Sequence, residues 1–327
     1  MNIFSSFARA PSESPALTPA TPPAPDAPAF TADRVMKLYG EHTALAGITL
    51  SIPAGHVVGL LGRNGAGKST LLQIAAGLTL PTHGTCHTLS RRTDLLDSPE
   101  LTRLGFVMQE GKFIEWMTVA QHLAFTASFY PRWDHDLQHR LAIQLEVPTT
   151  RKLAELSPGD RQKVGILLGV CHRPALLLLD EPMSALDPIV RRRLLDVLLE
   201  RLRDDACTIV ISSHLLNDVE KIVDWIIALD AGHVVENYSL DDLQESFAEW
   251  TVTAPDVAPL PDFSEPFIVT QQRTDRQARL TVRTNAPDAA ETFATTHRVE
   301  IQTRRLNLDE MFPLLIAAKP AASAPSP

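Results

Sequence analysis

The sequence predicts an α/β fold with a largely parallel sheet, a helical insertion and a small appended α/β module. Three observations carry this reading. His56 to Leu61 is a short apolar run that breaks into a glycine-rich loop and then a helical pattern. Ala175 to Leu179 is wholly apolar and ends in two acids, the texture of a strand buried on both faces. Beyond about Trp250 the alternation of polar and apolar residues becomes that of half-buried strands.

The chain has 327 residues, long enough for one large domain and a smaller appendage. Its formal net charge of −9 argues against a general nucleic-acid binder, which needs surplus Lys and Arg to neutralise phosphates. Cys86, Cys171 and Cys207 are widely spaced and odd in number, so they imply no disulfide framework and suit a reducing, cytoplasmic setting. No apolar run approaches the roughly 18 to 20 residues that cross a bilayer. The first ten residues lack the apolar core of a secretory signal. A role at a membrane therefore needs another chain to supply the span.

Residues 1–30 hold seven Pro and seven Ala and few large apolar side chains. Such a segment buries too little surface to offset its ordering entropy, so disorder is expected there and again over 319–327. The main domain is expected over 31–240. Within it, His56 to Leu61 reads as a strand and Lys68 to Ala76 as a helix. Gln121 to Arg173 is mostly helical in pattern, with a break at Tyr130-Pro131, and forms a helical subdomain over about 111–173. Asp187 can cap a helix that has Pro188 at its first position, where the missing N–H costs nothing. That helix places Val190, Leu194, Val197, Leu198 and Leu202 on one face. Thr208 to Ile211 is another buried strand, with a helix expected from about Leu215. In the accessory domain expected over 241–318, Leu280 and Val282 alternate with Arg279, Thr281 and Arg283, and Val299 and Ile301 alternate similarly. Asp288 to Thr295 fits a helix between them.

Gly62-Arg63-Asn64-Gly65-Ala66-Gly67-Lys68-Ser69 fits the phosphate-binding pattern GxxxxGK[ST] in its strand–loop–helix setting, with Thr70 next in the helix. The glycines let backbone N–H groups turn towards phosphate oxygens, and the helix N-terminus adds positive dipole. Lys68 would reach the β- and γ-phosphates, and the Ser69 hydroxyl would hold Mg²⁺. Asp180 and Glu181 end the Leu176–Leu179 strand at the sheet edge where open α/β folds bind ligands. There Asp180 would hold Mg²⁺, directly or through water, and Glu181 would polarise an attacking water. His83, Cys86 and His87, and Cys171 with His172, show no fourth partner and read as structural rather than metal-binding.

Residues 31–240 resemble the nucleotide-binding domain of ATP-binding-cassette (ABC) ATPases, because further short motifs follow in family order. Tyr39 matches the aromatic that stacks on adenine, and Gln109 the glutamine of the Q-loop. Leu156-Ser157-Pro158-Gly159-Asp160 matches the signature loop, Ser184 to Asp187 the D-loop, and His214 the switch histidine. The resemblance implies a P-loop NTPase that binds ATP and Mg²⁺, the metal held by Ser69, Gln109 and Asp180. It implies hydrolysis by Glu181 with Lys68, Gln109 and His214. It also implies a head-to-tail pair of cassettes, in which Ser157, Gly159 and Asp187 act on the nucleotide of the other copy.

Two positions depart from the family's LSGGQ: Pro158 replaces glycine and Asp160 replaces glutamine. With Ser157 as the helix cap, Pro158 falls at the first helical position and Asp160 forms a Ser-x-x-Asp variant of the capping box. Ser157 then spends its hydroxyl on the cap, and slower turnover is expected. Phe129-Tyr-Pro-Arg-Trp133-Asp134 and Leu306-Asn-Leu-Asp-Glu-Met-Phe312 are similar to the branch that exports drugs, antibiotics and cell-envelope material. In that branch the ATPase is a separate polypeptide on the inner face of the cell membrane, working with a transmembrane permease. The alternatives are a soluble ABC protein of translation or DNA repair, which usually carries two cassettes or a long coiled coil, and a regulatory module that binds ATP without hydrolysing it.

Overall fold

The computed structural model describes residues 27–317, apart from 206, 255–259 and 275. Most of the Pro/Ala-rich segment and the C-terminal tail lie outside the described residues. Ala29 and Phe30 are buried, so the folded part takes in the last residues of the stretch for which disorder was expected.

Two antiparallel strands come first, β1 (Phe30–Tyr39) and β2 (His42–Ile52), then β3 (Val57–Gly62) and α1 (Lys68–Ala75). β4 (His83–Thr88), the short β5 (Arg91–Arg92), the single turn α2 (Ser98–Leu101) and β6 (Leu104–Val107) follow. The helical insertion holds α3 (Val119–Ala127), α4 (His135–Gln144) and α5 (Pro158–Val170). The chain returns through β7 (Leu176–Asp180), α6 (Pro188–Asp205), β8 (Thr208–Ser212), α7 (Leu216–Val219), β9 (Trp225–Asp230) and β10 (His233–Ser239). The C-terminal part comprises α8 (Leu240–Ser246), β11 (Phe247–Thr253), β12 (Ile268–Arg273), β13 (Gln277–Arg283), α9 (Ala289–His297), β14 (Glu300–Arg305) and α10 (Leu308–Ala317).

The central sheet has the order β10-β9-β3-β8-β7-β6, all parallel except the antiparallel edge strand β10. An antiparallel sheet, β2-β1-β4-β5, stands beside it, and a third sheet, β12-β13-β11-β14, forms the C-terminal module. The central strands are apolar throughout because both faces are covered. In β7, Leu177 and Leu179 join the cluster under the helical insertion, while Leu176 and Leu178 join the cluster under α1 and β1. That is the period-2 alternation of a strand, read out on two cores.

Caps set the helix starts. Thr118 and Gln121 form a reciprocal box at α3, Asp134 accepts the Leu137 N–H at 2.8 Å at α4, and Asp187 Oδ1 accepts the Val190 N–H at 3.0 Å at α6. Tyr130-Pro131 falls between α3 and α4, as the break in the pattern predicts. The helix expected from about Leu215 is the single turn α7. Asp224 accepts the Val57 N–H at 3.0 Å and donates its own N–H to Val57 O at 3.0 Å, drawing the chain into the sheet before a second turn forms.

The module has its own core, centred on Trp250, Leu280, Val282 and Phe293. α10 does not belong to it. Leu308, Met311 and Leu315 are buried in the large cluster of the main domain, beside Leu216, Val219 and Ile222. The chain therefore leaves the main domain, builds the module and returns to dock α10 against α7.

Candidate nucleotide site

β3 delivers the phosphate-binding loop to the carboxyl edge of the parallel sheet, and β7 and β8 deliver Glu181 and His214 to the same edge. Gly65 and Gly67 hold φ of 82° and 102°, and a Cβ on Gly67 would lie 2.6 Å from Ala44 O. Only glycine fits there. No side chain caps the N-terminus of α1, so its first turn keeps backbone donors for an anion.

The loop borders a cleft of about 570 Å³. Tyr39, Asn64, Gly65, Ala66, Gly67, Lys68, Ser69, Thr70, Gln109, Glu181 and His214 all line it, so the structure brings together eleven of the expected site residues. Gly62 and Arg63, at the start of the loop, do not line the cleft, and their carbonyls accept from Lys68 Nζ at 2.8 and 3.4 Å. Asp180 is also set back: Ser212 Oγ donates to its Oδ1 at 2.8 Å, and Ser212 Oγ in turn accepts the Glu181 N–H at 2.9 Å. Ser157, Gly159 and Asp187 do not line this cleft. His42 and Ala44 do, and neither was expected; no motif marks them, because they reach the cleft only through the pairing of β1 with β2.

Glu181 is the most constrained side chain of the site. Its φ is +48°, a left-handed conformation that costs an ordinary residue free energy and is disfavoured ahead of Pro182. His214 Nδ1 lies 2.8 Å from its Oε2, and Lys68 Nζ lies 3.9 Å from its Oε1. Glu181 is 7% exposed and Lys68 equally so. Burial holds the Lys68 ammonium below its usual pKa, with Glu181 and Asp180 pulling in the opposite direction. A buried lysine, a strained carboxylate and a histidine thus meet at the inner end of a cleft floored by helix-terminal N–H groups.

Residues 156–160, matched above to the signature loop, do not line the cleft and run into the start of α5. Ser157 caps the helix: its Oγ accepts the Asp160 N–H at 3.1 Å and donates to Asp160 Oδ2 at 2.8 Å. Pro158 is the first helical residue, as the sequence predicts.

The model of the ABC transporter family matches residues 45–184. BcrA, the bacitracin transport ATP-binding protein of Enterococcus faecalis, is 30% identical over 221 residues, 67% of this chain and 72% of BcrA. This chain belongs to the ABC transporter ATP-binding family.

The cassette is also 34% identical to the methionine import ATP-binding protein MetN of Brucella abortus (strain 2308), over 66% of this chain and 61% of MetN. It thus spans less than two thirds of that relative's length. SsuB, the aliphatic sulfonates import ATP-binding protein of Escherichia coli (strain K12), is 32% identical over 79% of its length. Among solved structures, the cassette MJ0796, a dimer in a post-hydrolysis state bound to ADP and Pi, superposes with a TM-score of 0.57 at 28% identity. That match covers 64% of this chain and 98% of MJ0796. These likenesses concern the cassette of this chain. Among the described residues no helix is long and apolar enough to cross a membrane.

Proposed function

We propose that this chain is the ATP-binding and ATP-hydrolysing subunit of an ABC exporter, driving a separate transmembrane permease through ATP-dependent closure of two cassettes. The observation that carries the catalytic part is Glu181, strained, buried and gripped between His214 and Lys68 at the end of the cleft. In this reading adenine lies on Tyr39 and the phosphates on the loop from Gly62 to Thr70. The γ-phosphate replaces Glu181 as the partner of Lys68, which frees the carboxylate to take a proton from water while His214 steadies it. Gln109 and His214 sense the γ-phosphate. The oxygen donors of Ser69 and Gln109, with Asp180 acting through water, suit Mg²⁺, which when bound neutralises charge on the phosphates.

Pairing of cassettes is supported by the dimeric state of MJ0796. Ser157, Gly159 and Asp187 would then serve the opposing copy, which accounts for their distance from the chain's own cleft. The relatives include importers, MetN and SsuB, beside the bacitracin transport protein BcrA. Export rests on the branch-like segments Phe129 to Asp134 and Leu306 to Phe312. The net charge of −9 favours a protein partner over nucleic acid. A place on the inner face of the cell membrane follows from the permease.

Glu181→Gln in the full chain tests the catalytic assignment. Phosphate release should fall by at least about 100-fold, the usual contribution of a general base. ATP binding should stay within about twofold and ATP-driven pairs should persist. Hydrolysis at the parent's rate would remove Glu181 from the role of base. Co-purification from gently solubilised membranes tests the partner: a multi-span membrane protein in near-equal amount is expected, and ribosomal or DNA-repair components would overturn the exporter reading.

A further inference from the structure

Asp160 and Lys163 lie one turn apart on α5, and Asp160 links Lys163 to Ser157. Ser157 Oγ donates to Asp160 Oδ2 at 2.8 Å, and Lys163 Nζ lies 3.2 Å from Asp160 Oδ1. Both carboxylate oxygens are thereby engaged, and the Asp160 and Lys163 side chains are only 20% and 13% exposed. A serine hydroxyl has one proton to give. Here it is given to Asp160, so the hydroxyl meets any further oxygen with lone pairs alone. The backbone cannot easily shift to change this, because Gly159 is pressed against the D-loop: a Cβ there would lie 2.7 Å from Ala185 O. Arg161, the other nearby cation, is taken up by Glu115 at 2.8 Å and by the carbonyls of Gly111 and Leu153.

We infer that Asp160 and Lys163 form a charge-compensated latch on the Ser157 hydroxyl, and that Lys163 is a positioning residue for nucleotide bound by the opposing cassette. The inference rests on the composite site proposed above. Docking the γ-phosphate of the other copy needs the Ser157 proton, so the hydroxyl must leave Asp160. The carboxylate is then left beside the serine that holds a phosphate, and like charges at that range repel. Lys163 offsets that charge and keeps the signature loop usable despite the aspartate. The lysine is needed only because Asp160 is present.

That dependence sets the test. Four full-length chains are compared: the parent, Lys163→Met, Asp160→Asn and the double variant. The readouts are kcat for ATP hydrolysis, the ATP concentration giving half-maximal pairing by light scattering, and binding of a fluorescent ATP analogue to dilute, unpaired chain. One screened charge contact corresponds to about tenfold, so Asp160→Asn should raise kcat about tenfold and Lys163→Met lower it about tenfold. Lys163→Met should also need more ATP for pairing. The double variant should match Asp160→Asn within about twofold, a rescue that a merely structural lysine would not show. Analogue binding to unpaired chain should stay unchanged in all four, because Ser157 serves the other copy. An equal loss from Lys163→Met in both backgrounds, or no loss in either, overturns the latch. Should Lys163→Met fail to fold, Lys163→Gln takes its place with the same expected pattern. A parent that binds ATP without pairing overturns the composite site and the latch together, whereas a parent that pairs and hydrolyses without the rescue overturns the latch alone.

Discussion

Met311→Ala probes the return of the chain to the main domain. Met311 and Leu308 are fully inaccessible, Leu315 nearly so, and all three sit in the cluster that contains Leu216, Val219 and Ile222. Truncating a fully buried methionine to alanine costs about 2 to 5 kcal/mol, because apolar contact is lost and the surroundings close the cavity only in part. For a unit of this size each kcal/mol moves the melting temperature by about 2 to 4 °C, so a mid-range cost of about 3 kcal/mol predicts a fall of roughly 6 to 12 °C. The effect should reach the site. α7 begins two residues after His214, and Glu220 at its end accepts from Leu308 N at 3.2 Å and from Gln244 Nε2 at 2.9 Å. Calorimetry of the full chain measures the melting temperature, and amide exchange over residues 214–222 reports whether α7 opens. Met311→Leu, which conserves volume, should cost under about 1.5 kcal/mol. A Met311→Ala chain that melts within about 1 °C of the parent, with unchanged exchange at α7, would refute the docking of α10 as a stabilising contact.

Ser212→Ala strips a partner from Asp180 and another from the Glu181 N–H, both buried, and should cost about 1 to 3 kcal/mol of stability with a drop in kcat; thermal melting and phosphate release measure the two. Lys68→Met should abolish tight ATP binding, read by a fluorescent analogue, and should also change how stability depends on pH. Burial lowers the folded-state pKa of Lys68 below the ordinary lysine value of 10.5, so between the two values the unfolded chain binds the extra proton. The parent must therefore gain stability relative to Lys68→Met as pH rises towards 10.5, and lose that gain as pH falls below the folded pKa. Melting curves of both chains from about pH 7 to 10 check the sign, and a difference that shrinks with rising pH would contradict it.

Local signals were enough for most elements and for the phosphate loop. The apolar runs at Ala175 to Leu179 and Thr208 to Ile211, the Asp187-Pro188 start and the Tyr130-Pro131 break all act over a few residues, and each appears where the sequence placed it. The same holds for the Ser157 cap, since a Ser-x-x-Asp box is made within one turn. The start of α7 near Leu215 is legible in the sequence, whereas its end is set by Asp224 pairing with Val57, a contact across 167 residues. His42 and Ala44 escaped notice for a like reason, since strand pairing alone brings them to the cleft. Nothing local to the segment from Leu308 says which core receives α10.

By itself the sequence determined that a phosphate-binding loop follows a strand, that two acids end another, and that a proline and an aspartate alter the signature loop. These are consequences of residue type and spacing within a turn or a strand, where the backbone answers to its immediate neighbours. Only the tertiary structure decided that Glu181 is held at positive φ between Lys68 and His214. It alone decided that α10 crosses back to brace α7. Those outcomes depend on which surfaces bury one another and which charges lose water, quantities that exist only once distant segments are packed together.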